Sequence, residues 1–184
     1  LKKAWLIVLA VILVLGFSGV SSYNNLVKMN EVVNSNWAQI NVQLQRRADL
    51  IPNLVNTVKG YTAHEQEILN NLANARASLL GAQSPAEAAA ANDELSSALS
   101  RLLVIVENYP NLKADANFRQ LMDELAGTEN RIAVARKDYN DSVQTFNTRI
   151  KSFPTTIWAG MFGFDAREYF QADESAQTVP QVNF

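Results

Sequence analysis

Arg47, Glu129 and Arg136 are the residues of this sequence whose type and spacing best suit chemistry. All three stand on heptad rows of mostly apolar residues, where a charge leaves water and needs a partner. Asp49 lies close to Arg47 in the chain, and Pro52 deletes the amide proton that would otherwise occupy the carbonyl of Ala48. Such a group suits either of two tasks. Guanidinium groups turned toward a cavity bind an anion or a carboxylate, which would make the Arg47 and Glu129 region a receptor. The same charges turned toward each other form a buried ion network that fixes helix register. That second reading needs only the helices themselves and is the one adopted.

Two other clusters qualify as surfaces. Tyr61, Glu107, Asn108 and Tyr109 fall at one end of the predicted helices, where they make either a recognition tip or a helix stop with a buried tyrosine. Trp158, Met161, Phe162 and Phe164 suit contact with lipid, with a neighbouring subunit or with the protein's own helices. The single histidine, His64, sits beside Glu65 and Glu67 and is read as part of a solvated first helical turn. A helical di-iron site needs Glu three residues before His on two helices, whereas Tyr61 holds that place here. Cysteine is absent, as are a nucleophile elbow, a phosphate loop and a dinucleotide fingerprint. The expectation is a protein that is not an enzyme, with no metal and no cofactor.

The elements that must position these groups are helices. With 48% hydrophobic residues and only 7 Gly and 5 Pro in 184 residues, the chain has apolar material for one core and few breakers. Setting Lys2 and Lys3 aside leaves 14 basic against 18 acidic side chains, a balance that disfavours nucleic acid. After those lysines, residues 4–20 form an uncharged apolar run, about 25 Å of helix and enough for a short membrane span. A cleaved signal sequence begins in the same way. The helical pattern nevertheless resumes at Tyr23 without a linker, which favours a retained anchor, and the two lysines orient its start toward the cytoplasm.

Residues 1–22 are accordingly assigned to a transmembrane anchor, 23–153 to a helical bundle and 154–184 to a C-terminal tail or collar. Coiled-coil-like heptad stripes run from Leu26 to Tyr61 and from Phe118 to Ile150. Between them Gly60, Gly81, Pro85 and Pro110 punctuate two shorter segments. The predicted helices cover about 23–59, 62–80, 85–108 and 116–152, with a kink near Ala48 to Pro52 and a capping box at Ser84 and Glu87. The stretch LLVIVENY at 102–109 is expected to be the most deeply buried part of the third helix.

Two long and two short helices fit either a three-rod bundle with the short pair end to end, or an up-down-up-down four-helix bundle. Antiparallel docking of the long pair sets Arg47 level with Glu129, whereas parallel docking drives it toward Arg136. The elongated antiparallel four-helix form is therefore preferred. An irregular aromatic tail would then cover Val33, Trp37, Tyr139, Val143 and Phe146 on the membrane side.

The blocks YNNLV from Tyr23, QLQRRADLIPNLV from Gln43, ENYPNLKA from Glu107 and ENRIAVARKDYN from Glu129 occur in order. With FPTTIWAGMFGF, YFQAD and a final PQVNF, they make the chain resemble the LemA family over essentially its whole length. The resemblance implies a single-pass bacterial membrane protein with a helical-bundle domain. One branch of that family is associated with the membranes of magnetic organelles in magnetotactic bacteria. Pattern and resemblance together set the expectation of a non-catalytic scaffold or protein-interaction module of the cell envelope. It would sit in the cytoplasmic (inner) membrane, with its N-terminus in the cytoplasm and its bundle outside. Its expected partners are the lipid bilayer, further copies of itself as a homo-oligomer, and other membrane proteins. Membrane remodelling and an anion receptor at Arg47 and Glu129 are the alternatives.

Overall fold

The structure is a computed structural model that describes residues 2–62 and 65–171. The expectations for His64 and for the chain end at 172–184 lie outside the described residues. Within them the regular elements are all helical: α1 (Lys2–Lys59), α2 (Gln66–Gly81), α3 (Pro85–Val106), α4 (Pro110–Ala114), α5 (Ala116–Lys151) and α6 (Thr155–Phe162).

α1 is unbroken for 58 residues, about 87 Å of helix. Its character changes along that length. Near its start the consecutive residues Trp5, Leu6, Ile7, Val8 and Leu9 are all exposed, so the helix is apolar around its circumference and is long and apolar enough to cross a membrane. From Ser22 onward burial contracts to one stripe that includes Leu26, Val33, Ile40, Leu44, Ile51, Leu54 and Val58. This stripe is the face against which the rest of the chain packs.

α5 runs antiparallel along that stripe. Trp37 meets Tyr139, Arg47 meets Glu129 and Tyr61 meets Asp115, so each advance along the first segment matches an equal retreat along the second. Asp115 starts α5 by accepting the backbone N–H of Phe118 at 2.9 Å. One sequence expectation shifts here. The buried row on α5 takes Thr128 and Ala135, not their neighbours Glu129 and Arg136. A straight helix drifts against a strict seven-residue repeat, and the small residues on that flank sit inside while the charged ones reach outward.

α2 and α3 form a hairpin against the distal part of this pair. Ser84 and Glu87 make the reciprocal capping box that starts α3. The buried part of α3 differs from the expectation. Ala88, Ala89, Ala91 and Leu95 are inside, whereas Val104 is 72% exposed and Leu103 is exposed beside it. The small alanines let the hairpin approach closely, and only Leu102 and Val106 of the later turn lie on the inner face.

Two short helices were not expected. α4 is a single turn between α3 and α5, and α6 replaces the first part of the predicted irregular tail. Gly163, at φ 72°, ends α6 in the left-handed conformation that favours glycine. Beyond it, residues 164–171 form a strap along α5. Asn147 exchanges two hydrogen bonds with the backbone of Arg167, and Asn140 does the same with Phe170. Seven residues of helix and three of extended chain both span about 10 Å, so the two asparagines act as rungs for the strap. Phe170 is thereby buried on Trp37, and Phe164 lies against Phe146 and Tyr23.

Candidate functional site

Arg47 is the buried charge of the molecule's described core. Heptad spacing turns it inward from α1, and its guanidinium pairs with the carboxylate of Glu129. The same group donates to Asn92 Oδ1 and, at 3.0 Å, to Ser96 Oγ, both on α3. One side chain thus ties three helices together. Burial pulls the pKa of Arg47 down from its ordinary value, and the negative charges of Glu129 and Asp93 act in the opposite direction. The guanidinium remains charged. Its Nε has no hydrogen-bond partner among the described residues.

Not every predicted member joins this network. Asp49 is exposed and accepts from Gln45 at 2.9 Å, one turn away on the same helix. Arg136 is exposed on the outer flank of α5, since Ala135 occupies the inward place. The carbonyl of Ala48, freed by Pro52, is taken by Arg76 Nε of α2 at 2.9 Å. Asn92, Ser96 and Arg76 were missed as members. Asn92 had a signal: it stands between Ala88 and Leu95 on the buried row of α3 and is itself buried.

At the distal end, the hydroxyl of Tyr61 donates to Asp115 at 2.8 Å and that of Tyr109 donates to Glu65 at 2.9 Å. These bonds raise both phenolic pKa values, and the Phe118 amide and Tyr61 hold the Asp115 carboxyl below its ordinary range. Glu107 is exposed and pairs with Lys113, while Asn108 is exposed beside it. The tip is therefore a set of tyrosine latches that bind loop to helix start, with Glu107 and Asn108 outermost.

At the opposite end, two of the four predicted contact residues, Trp158 and Phe164, are half-buried, and Phe162 packs on its neighbours while staying exposed. Trp158 rests on Gly19 and stacks with Phe162, Phe162 meets Tyr23 edge-on, and Phe164 fills the gap between α1 and α5. Met161 is the most exposed of the four, at 69%, and it is joined by Phe153 and Ile157, which sequence reasoning did not select. The four-residue spacing of Ile157 and Met161 was the available signal.

These features define a class: an all-helical protein whose apolar N-terminal helix is continuous with an antiparallel helical core closed by internal polar pairs. The particular family follows from comparison. The chain belongs to the LemA family, whose pattern matches residues 36–184. It is similar to magnetosome protein MamQ 2 of Paramagnetospirillum magneticum, at 27% identity covering 96% of this chain and 76% of the relative. The magnetosome protein MamQ of Magnetospirillum gryphiswaldense is 27% identical, with 87% of this chain and 70% of that one covered. Protein LemA of Metamycoplasma hominis is 29% identical over 79% of this chain and 66% of its own length.

Proposed function

We propose that this protein is a non-catalytic, membrane-anchored scaffold or protein-interaction module that assembles with copies of itself. The observation that carries the reading is the continuity of α1, which passes without a break from an all-apolar stretch into the core. A helix that is both anchor and core transmits its position in the bilayer to the whole bundle, which suits a rigid spacer. The proposed architecture is an elongated up-down four-helix bundle, α1, α2, α3 and α5, with an aromatic collar at its base, read as domains 1–22, 23–153 and 154–184. Its polar groups support a structural role. Arg47, Tyr61 and Tyr109 are engaged by other residues of the chain.

The proposed location is a bacterial cytoplasmic membrane, with the N-terminus inside and the bundle outside. Protease added to intact spheroplasts should degrade the bundle, and its survival would place it in the cytoplasm and overturn the orientation. A second reading, membrane remodelling, is favoured by the relatives named as magnetosome proteins. It predicts that the purified chain reshapes liposomes. An anion receptor at Arg47 is the weakest reading, because the ligand would have to displace Glu129, Asn92 and Ser96.

A further inference from the structure

The base of the molecule carries an apolar edge that the core does not use. Trp158 of α6 lies on Gly19 of α1 so closely that a Cβ there would come within 3.1 Å of the indole ring. One turn further along both helices, Phe162 meets Tyr23 with ring centroids 5.0 Å apart. Both partners advance by four residues between these contacts, so α6 runs beside α1 in the same direction, turn for turn. Thr155 and Ala159 face inward and are buried.

This register fixes the level of the outer edge. Ile157 immediately precedes Trp158 on α6, which places it level with the end of the apolar run at 4–20, and Phe153 lies in the turn that leads into α6. Phe153, Ile157 and Met161 follow one another at four-residue steps and are 81%, 52% and 69% exposed. Arg149 and Lys151 close the last turn of α5 just before them.

We propose that α6 is a second membrane contact, a short upright helix whose outer edge of Ile157 and Met161, with Phe153 of the preceding turn, enters the lipid interface beside the span. The proposal rests on reading residues 4–20 as that span. Lipid is the occupant the charges favour. Apolar side chains below and cations above match acyl chains below and phosphates above. A second copy offering the same edge would bring Arg149 and Lys151 toward their own duplicates.

The chain has no cysteine, so single introduced thiols report one position each. Ile157→Cys, Met161→Cys, Leu9→Cys and Val134→Cys variants of the full chain would carry an environment-sensitive fluorophore. They would be reconstituted in phosphatidylethanolamine and phosphatidylglycerol vesicles. Lipids bearing a nitroxide near the headgroup should remove most of the emission at 157 and 161, more than a nitroxide deep in the acyl chain does. The label at 9 should show the reverse order, and the label at 134 should lose none. Quenching at 9 with none at 157 and 161 would overturn the α6 proposal while leaving the anchor intact. Loss of quenching at 9 as well would overturn both. A blue shift at 157 without quenching, accompanied by energy transfer between copies, would assign the edge to a second copy and sink the lipid assignment.

Discussion

Arg47 and Glu129 are partners with unequal access to water, and that inequality decides which of them the fold can lose. The Arg47 side chain is 4% exposed and that of Glu129 is 45% exposed. Removing Arg47 lets Glu129 rehydrate, while removing Glu129 leaves a guanidinium buried with only Asn92 and Ser96 as acceptors. Glu129→Ala should therefore destabilise by about 2 kcal/mol, below the usual cost of breaking a fully buried pair because the carboxylate is half in water. Arg47→Met, which keeps the volume, should cost about 1 kcal/mol or less. Denaturant unfolding of the full chain in detergent measures both, and the reverse order would mean that Arg47 reaches solvent. A second residue-scale prediction concerns acid. Because the Asp115 carboxyl titrates below its unfolded value, its contribution is present above that value and fades as pH falls through the depressed one. Asp115→Ala should lower the unfolding temperature at neutral pH, and the gap to the parent should narrow as pH falls below the ordinary carboxylate range. At this scale the heptad row marked Arg47 as an inward charge, since period and residue type are local, but it misplaced Glu129 and Arg136 by one position relative to the buried row of α5. It did not show Asp49 and Arg136 leaving the network, because that depends on a small rotation of α5 relative to α1.

Pro52 poses an element-scale problem that α2 answers. A proline within α1 leaves the Ala48 carbonyl without its helical donor, and Ala48 is fully buried, so an unmet acceptor there is costly. Arg76 Nε supplies the bond from a neighbouring helix. The interruption thus becomes a docking point, and the two substitutions should be coupled. Arg76→Met in the parent should cost about 1–2 kcal/mol. In a Pro52→Ala background the alanine amide can occupy the carbonyl, and the same change should cost about 1 kcal/mol less. Equal costs in both backgrounds would remove the link between proline and arginine. Helix existence was legible at this scale because heptad stripes, the capping box and the glycine and proline stops are written in short windows. α4 and α6 were not. Each is a short helix whose formation depends on tertiary contacts, α6 above all through the seat that Gly19 offers Trp158. The strap along Asn140 and Asn147 was likewise invisible, because it requires a helix and an extended chain to be laid side by side before their spacings match.

In the proposed reading, a span of residues 4–20 would be about 5 Å shorter than a typical hydrocarbon core, and the whole molecule would have to absorb that difference. Short spans thin the bilayer around them, bring in flanking side chains or associate so that fewer lipids meet the mismatch. As proposed, the α6 edge would serve the second route and self-assembly the third. The two routes respond differently to bilayer thickness. If flanking residues carried the whole adjustment, thicker lipid would draw Phe153, Ile157 and Met161 deeper and leave the stoichiometry unchanged. If association shares the adjustment, thicker lipid should favour larger assemblies, because each new contact removes mismatched perimeter. The scaffold reading therefore predicts that the full chain at micromolar concentration has the mass of a multimer in mild detergent, and that its mean mass rises with acyl-chain length in lipid nanodiscs large enough for several copies. Native mass spectrometry of both preparations makes the measurement. A monomer in detergent and at every lipid thickness would refute self-assembly, while the depth of labels at 157 and 161 would still test the α6 contact independently.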